Sequence, residues 1–151
     1  MPLKSLRQQQ LDEKKKSETE TLLEELRQKK KEVDLKELCG DDSVLYQVVS
    51  TAVLLNPEKL NKEGIKTHVE KAQMYEKSGD YLGAVVEYQV AGQLSLFYGN
   101  LEDTKKYFKK CAEIFPKRFK TLYVFFANRE RAENVLKVAE EYYNRTKINQ
   151  V

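Results

Sequence analysis

The stretch that decides the fold is residues 72–91, which read AQMYEKSGDYLGAVVEYQVA. Small residues and tyrosines recur at helical spacing on both sides of one glycine, at Ala72, Tyr75, Gly79, Tyr81, Ala84, Tyr88 and Ala91. Two packed antiparallel helices need this pattern, because small residues let the backbones approach and the tyrosines fill the space between them. Gly79 can adopt the positive φ that ends a helix. The stretch therefore predicts a tight helical hairpin with its tyrosines in the core.

The same signals divide the rest of the chain into helices. Gly40 and Gly99 are predicted to end helices, and Asp80 is predicted to cap the one that follows Gly79. Asn56 and Pro57 are predicted to end the apolar run 44–55. Further helices are predicted over residues 65–78, 81–98, 101–115, 118–127 and 129–145, and no segment alternates like an exposed strand. We therefore predict an all-α fold for residues 41–151, an antiparallel bundle or short solenoid of five to six helices.

Residues 1–40 are predicted to be a polar, charged, helical extension of this domain. Ser17 with Glu20 forms a capping box, which predicts a helix start there. Apolar residues then return near heptad spacing, which favours either one strand of a coiled coil or a strut laid on the domain; these are Leu22, Leu26, Val33 and Leu38. We expect the first sixteen or so residues to be mobile, because they hold too little apolar area to offset the cost of ordering.

Composition narrows the classes of function. The net charge is only +3, yet residues 101–151 hold 12 Lys and Arg against 7 Asp and Glu. The two cysteines, Cys39 and Cys111, have no metal ligands near them in sequence, which is typical of reduced thiols in the cytoplasm. The first twenty residues lack the apolar segment of a signal peptide, and no apolar run is long enough to span a bilayer. Without a phosphate loop, dinucleotide fingerprint or nucleophile elbow, the sequence predicts a cytoplasmic protein with no enzymatic activity, cofactor or metal.

Single reactive residues are expected to have structural roles. Cys111 lies between Phe108 and Phe115 on an apolar helix face, which predicts a buried, inert thiol. His68 is the only histidine, and it is predicted to be an ordinary surface or half-buried residue rather than a zinc ligand.

The order small, aromatic, glycine, small, aromatic, small in residues 72–91 resembles one tetratricopeptide (TPR) repeat. The sequence departs from that consensus at His68 and Leu96, where Trp and Pro are usual. The resemblance implies a groove that binds peptides and is lined by the first helix of the repeat. The positions to which it assigns this role are Lys66, Val69, Gln73, Glu76 and Lys77. A TPR that clamps a C-terminal carboxylate usually has Lys and Asn where this chain has Val69 and Gln73, so that type of clamp is not expected.

The closely spaced turns at Gly79 and Gly99 place three predicted helices side by side over about residues 65–116. This arrangement resembles the MIT domain, a three-helix relative of the TPR that binds short tails of partner proteins. In that family the groove lies between the second and third helices, which implies a site at Val85, Gln89, Gln93 and Tyr107. Neither resemblance implies catalysis.

A basic surface is predicted on the helix over 101–115. Four lysines form two adjacent i,i+4 rows, at Lys105, Lys106, Lys109 and Lys110, and we expect all four to be exposed. Lys117, Arg118 and Lys120 extend the positive charge. Such a surface attracts acidic peptides or phosphates.

Together these features predict a protein–protein interaction adaptor that binds a helical or extended, acidic peptide of a partner in a groove between helices. Two alternatives remain open at this stage. One is a nucleic-acid-binding accessory factor that uses the basic C-terminal third. The other is a homodimeric scaffold that associates through residues 17–38. No insertion into a membrane is expected.

Overall fold

The computed structural model describes residues 5–55 and 64–149, with side chains as far as Arg145. Within these residues every regular element is a helix, so the predicted all-α class is confirmed. The helices are α1 (Leu6–Cys39), α2 (Ser43–Ala52), α3 (Ile65–Lys77), α4 (Tyr81–Phe97), α5 (Leu101–Ile114), α6 (Pro116–Ala127) and α7 (Arg129–Asn149). The predicted stop at Asn56 and Pro57 lies outside the described residues, as do the first four residues of the segment expected to be mobile.

The turns form where the local sequence predicts them. Positive φ angles occur at Gly40 (63°), Gly79 (81°) and Gly99 (79°). After Gly79, the Asp80 carboxylate accepts a hydrogen bond from the Gly83 N–H at 2.9 Å and so caps α4. These interactions are local, which is why the sequence alone locates the turns.

The predicted helix start at Ser17 is wrong. Residue 17 lies inside α1, and its carbonyl accepts a hydrogen bond from the Thr21 hydroxyl at 3.0 Å. The polar residues around it are largely Lys and Glu, whose straight side chains lose little freedom in a helix. The high helix propensity of these residues therefore lets α1 continue through residues 12–21, which include no apolar residue.

Asn128 separates α6 from α7. Its backbone leaves the helical region, with φ −88° and ψ 117°, and its side chain accepts a hydrogen bond from the Arg131 N–H at 3.1 Å. Pro116 opens α6 as its first residue, where a missing N–H costs nothing. The helices predicted over residues 118–127 and 129–145 are therefore separate, as α6 and α7.

The chain divides into two compact units, residues 1–34 and residues 35–151. The described part of the N-terminal unit is a single helix, the first 29 residues of α1. In the C-terminal unit each helix from α3 to α7 packs against the next, and α2 packs against α4, α6 and α7. The largest fully buried side chains of the core include Phe108, Phe119 and Tyr142.

The tyrosines of the α3–α4 hairpin are only partly internal. Tyr88 is buried at 2% exposure, but Tyr75 and Tyr81 are 38% and 58% exposed. The prediction that the tyrosine set fills the hairpin therefore holds for Tyr88 and is wrong for Tyr81. A Cβ added at Gly83 would lie 3.0 Å from Tyr75 Cγ, so the glycine allows that ring to lie directly on the α4 backbone.

We expect Gly79→Val to lower the free energy of unfolding by roughly 1–2 kcal/mol, because a side chain at φ 81° meets the backbone unfavourably. No atom lies within 4 Å of a Cβ added there, so the loss measures backbone strain alone. Urea unfolding of the variant beside Gly79→Asn provides the measurement, since Asn tolerates this region better and should lose less. Equal stability of Gly79→Val and wild type would contradict the assignment of the turn.

Candidate functional site

Two adjoining open depressions lie along α3, α4 and α5. The first, of about 400 Å³, is lined by Gln73, Glu76, Lys77, Tyr88 and Lys110. The second, of about 470 Å³, is lined by Glu76, Tyr81, Lys110, Glu113, Ile114 and Phe115. Because Glu76 and Lys110 line both, the two form one continuous surface feature, which we call the α3–α5 groove.

Helical periodicity brings these residues to the groove. Gln73, Glu76 and Lys77 are three and four positions apart, so they share one face of α3. Lys110, Glu113 and Ile114 share one face of α5 for the same reason. Each wall of the groove is therefore one helix face.

Tyr88 and Glu76 join the floor of the groove to its α3 wall. The buried Tyr88 hydroxyl donates a hydrogen bond to the Glu76 carboxylate. Burial raises the pKa of Tyr88, and the hydrogen bond to Glu76 raises it further. The phenol therefore stays a donor across the physiological range and holds the carboxylate in place.

The two halves of the groove differ in chemistry. The first half is polar, with the side chains of Gln73 and Lys77 exposed beside Glu76. The second half carries apolar surface, because Tyr81 and Phe115 are 58% and 40% exposed and Ile114 is half-buried. Lys110 stands where the halves meet. Because Lys77 and Lys110 lie among Glu76 and Glu113, the groove presents charges of both signs beside an apolar surface.

Three of the five residues carried over from the TPR resemblance line this groove: Gln73, Glu76 and Lys77. The other two do not. Lys66 is exposed with its ammonium 4.0 Å from the Glu70 carboxylate, and Val69 is half-buried against the core. Both lie nearer the start of α3 than the groove does.

None of the residues carried over from the MIT resemblance lines the α3–α5 groove. Val85 is buried at 2% exposure, and its carbonyl accepts a hydrogen bond from the Cys111 thiol at 3.8 Å. The half-buried Gln93 donates to the Thr51 carbonyl at 2.9 Å, which ties α4 to the end of α2. Gln89 and Tyr107 are half-buried, and Tyr107 packs on the core. Val85 is therefore not available to a ligand, and the amide of Gln93 is already used.

The four lysines of α5 are all exposed, as predicted. Lys110 lines the groove, and the Lys106 ammonium lies 5.7 Å from the centre of the Tyr107 ring. From the sequence, the lysines of α5 and the residues of α3 were separate candidate sites. In the structure Lys110 lines the same groove as Gln73, Glu76 and Lys77.

Sequence reasoning missed five residues of the groove: Tyr81, Tyr88, Glu113, Ile114 and Phe115. Weak signals mark two of them. Phe115 directly precedes Pro116, where a chain turns and leaves a large side chain less covered. Tyr81 directly follows the Asp80 cap, so it stands at the open end of α4.

His68 and Cys111 lie away from the groove. His68 is buried at 6% exposure, and its Nδ1 lies 2.6 Å from a Glu87 carboxylate oxygen, so the expectation of a surface or half-buried residue is wrong. The predicted burial of Cys111 is confirmed at 0% exposure, and burial raises the pKa of its thiol to about 12. No group of three or more His, Cys, Asp or Glu suited to a metal ion occurs among the described residues.

A further depression of about 510 Å³ lies between the start of α2 and the α6–α7 turn. Its polar side chains have local roles. Asp42 and Asn128 accept hydrogen bonds from backbone N–H groups of the helices they precede, and the Arg131 guanidinium lies 5.3 Å from the Phe125 ring centre. None of its lining residues is among the binding positions predicted from the sequence.

In the part of the chain that the structure describes, none of the helices has both the length and the apolar character needed to cross a bilayer. Comparison with known proteins finds no match to this chain among family models, curated proteins or solved structures. A function for this chain therefore has to be inferred from the groove itself.

Proposed function

We propose that the protein is a non-catalytic cytoplasmic adaptor that binds a helical or extended peptide of a partner protein in the α3–α5 groove. In this proposal α3 to α5 form a module of the TPR or MIT type. The observation that carries it is the continuity of two open depressions through Glu76 and Lys110. An open trough between helix faces suits a chain segment, whereas small molecules usually bind in more enclosed cavities.

The side chains around the groove indicate what kind of peptide fits. Lys77 and Lys110 offer ammonium groups to an acidic side chain. Tyr81, Ile114 and Phe115 offer an apolar surface that a large side chain can cover. The position of Gln73, Glu76 and Lys77 on the groove supports the TPR resemblance over the MIT one.

The groove is tested by reversing the lysine shared by its two halves. The probe is a peptide selected from a displayed random library for binding to the full wild-type chain. We expect Lys110→Glu to weaken its binding about tenfold, the loss typical of an interface residue worth about 1–2 kcal/mol. Isothermal titration calorimetry measures the affinity.

The neighbouring Lys109→Glu is the matched control, because it makes the same change of charge on the same helix at an exposed residue outside the groove lining. It should change the affinity by less than about twofold, since exposed charges contribute little. Equal losses in both variants would show that general charge, and not the groove, binds the peptide.

Nucleic-acid binding is the second candidate, and the exposed basic surface favours it. Beyond the four α5 lysines, Lys117, Arg118 and Lys120 are also exposed. Such a surface neutralises phosphates and releases counterions, so affinity falls steeply with salt.

Salt dependence separates the two candidates. If nucleic acid is the ligand, reversing Lys105, Lys106, Lys109 and Lys110 to Glu should reduce the slope of log affinity against log salt by about 0.9 for each phosphate that is no longer neutralised. Fluorescence anisotropy of a labelled DNA or RNA oligonucleotide between about 20 and 300 mM salt gives the slope. Absence of binding by the wild type at the lowest salt would eliminate this candidate.

A further inference from the structure

The second half of the α3–α5 groove combines two kinds of side chain that attract a cation. The exposed rings of Tyr81 and Phe115 line it, and so do the carboxylates of Glu76 and Glu113. A cation is attracted both by the face of an aromatic ring and by a carboxylate. The half-buried Ile114 adds apolar surface. This half of the groove therefore has the composition of a site for a positively charged group on an apolar stem.

The two halves of the groove differ in the sign of their charge. The first half is lined by one carboxylate, that of Glu76, and by the ammonium groups of Lys77 and Lys110. The second half is lined by two carboxylates, those of Glu76 and Glu113, and by the ammonium group of Lys110. The first half is thus positive and the second negative. A peptide that places an acidic group in the first half and a basic group in the second complements both.

The two carboxylates of the second half are not neutralised by ion pairs of the chain itself. Within the part of the chain that the structure describes, neither Glu76 nor Glu113 forms a salt bridge. Glu76 is held in place by the hydrogen bond that the Tyr88 hydroxyl donates to it. Burial is the main cause of the raised pKa of Tyr88, and the negative charges of Glu76 and Glu113 both add to it. Both carboxylates therefore act on the same region of the groove floor.

The rings of the second half also differ from other aromatic rings of this chain. The Arg118 guanidinium carbon lies 5.2 Å from the centre of the Phe119 ring, and that of Arg131 lies 5.3 Å from the centre of the Phe125 ring. Among the described residues no cation makes such a contact with Tyr81 or Phe115. The exposed surfaces of these two rings are therefore available to a cation from a partner.

We propose that the second half of the groove binds an arginine side chain of the partner peptide. This rests on the proposed function, because it assigns one residue of the peptide that the groove binds. Arginine fits better than lysine, since its planar guanidinium stacks on aromatic rings and donates two N–H groups to one carboxylate. Its apolar stem can cover Ile114 while the charged end reaches Glu76 and Glu113. The groove thus recognises a peptide that carries charges of both signs.

The arginine site can be tested with a small probe. N-acetyl-arginine methylamide is titrated into the full chain, and NMR follows the ring C–H signals of its tyrosines and phenylalanines. We expect the signals of Tyr81 and Phe115 to shift with a dissociation constant of about 1–10 mM, the range of a ligand of this size. The citrulline analogue is the matched probe, because it has nearly the same shape but no charge. Its binding should not saturate below about 50 mM.

Glu113→Gln should weaken binding of the arginine probe about three- to tenfold, because it removes one of the two carboxylates. Glu102→Gln is the matched control, since it makes the same change at an exposed residue of the same helix outside the groove lining. It should change the dissociation constant by less than about twofold. Unchanged signals of Tyr81 and Phe115, equal binding of the citrulline probe, or equal effects of the two variants would each overturn the proposal.

The arginine site and the proposed function fail separately. Binding of the arginine probe at Tyr81 and Phe115 supports the site even if no library peptide depends on Lys110, a result that would overturn the peptide-binding function alone. The reverse result is a library peptide that Lys110→Glu weakens but Glu113→Gln does not, together with no binding of the arginine probe. That result would overturn the arginine site and leave the peptide-binding function supported.

Discussion

Phe108→Ala is expected to produce the largest loss of stability, about 3–5 kcal/mol. Phe108 lies on α5 at 0% exposure, and its ring stacks on Phe126 of α6 with centroids 5.8 Å apart. One edge of the ring meets α4 at Gly92. Truncation removes a side chain shared by three helices and leaves a cavity that they can close only by moving together.

Urea unfolding followed by near-ultraviolet circular dichroism measures this loss, since the chain has nine tyrosines and no tryptophan. Phe115→Ala makes the same chemical change on a side chain that is 40% exposed, so its loss should be clearly smaller. Similar losses for both would show that Phe108 is not a central residue of the core.

The ends of helices could be predicted because their causes are local. A glycine with positive φ followed by an Asp or Asn cap involves only a few consecutive residues, as at Gly79 and Asp80. The start of α1 was misplaced for a related reason. A capping box is a local signal as well, but at Ser17 it competes with helix-forming neighbours on both sides, and the helix continues.

Helix ends could be predicted well, but the sequence predicted less well which face of each helix is buried against its neighbours. Periodicity shows that a helix has an apolar face, but it does not show what packs there or how far that cover extends. His68 illustrates the difference: its burial depends on Glu87 of the neighbouring helix, which supplies a partner 2.6 Å away. Tyr81 shows the reverse, because its side chain remains 58% exposed although its spacing suggested the core.

The candidate site shows the same limit. Gln73, Glu76 and Lys77 could be placed together on one face from their spacing in α3. That Lys110 lies across from them depends on how α3 and α5 pack on α4, which no spacing within one helix reveals. Val85, which the MIT resemblance assigned to a groove, is buried at 2% exposure, and its burial depends on the neighbouring helices. Spacing within α3 therefore places Gln73, Glu76 and Lys77 on one face, whereas contacts between helices required the structure.

Gly92→Leu is expected to destabilise the protein by about 3 kcal/mol, at the upper end of the usual cost of overpacking. A Cβ added at Gly92 would lie 2.9 Å from two ring atoms of Phe108, and that ring is fully buried. Helix propensity acts in the opposite direction, since leucine is preferred over glycine inside a helix by somewhat less than about 1 kcal/mol. A stabilised variant in urea unfolding would therefore show that α4 and α5 do not approach closely at this point.

The double variant Gly92→Leu with Phe108→Ala gives the sharpest test of that approach. Removing the Phe108 ring opens the space into which the new leucine points, so the added side chain fills the cavity instead of colliding with the ring. We expect the double variant to be more stable than Phe108→Ala alone, and far more stable than the sum of the two single losses predicts. Residues in contact couple in this way, whereas distant ones add. If the loss of the double variant equals the sum of the two single losses, Gly92 and Phe108 are not in contact. The packing of α4 against α5 described here would then be wrong.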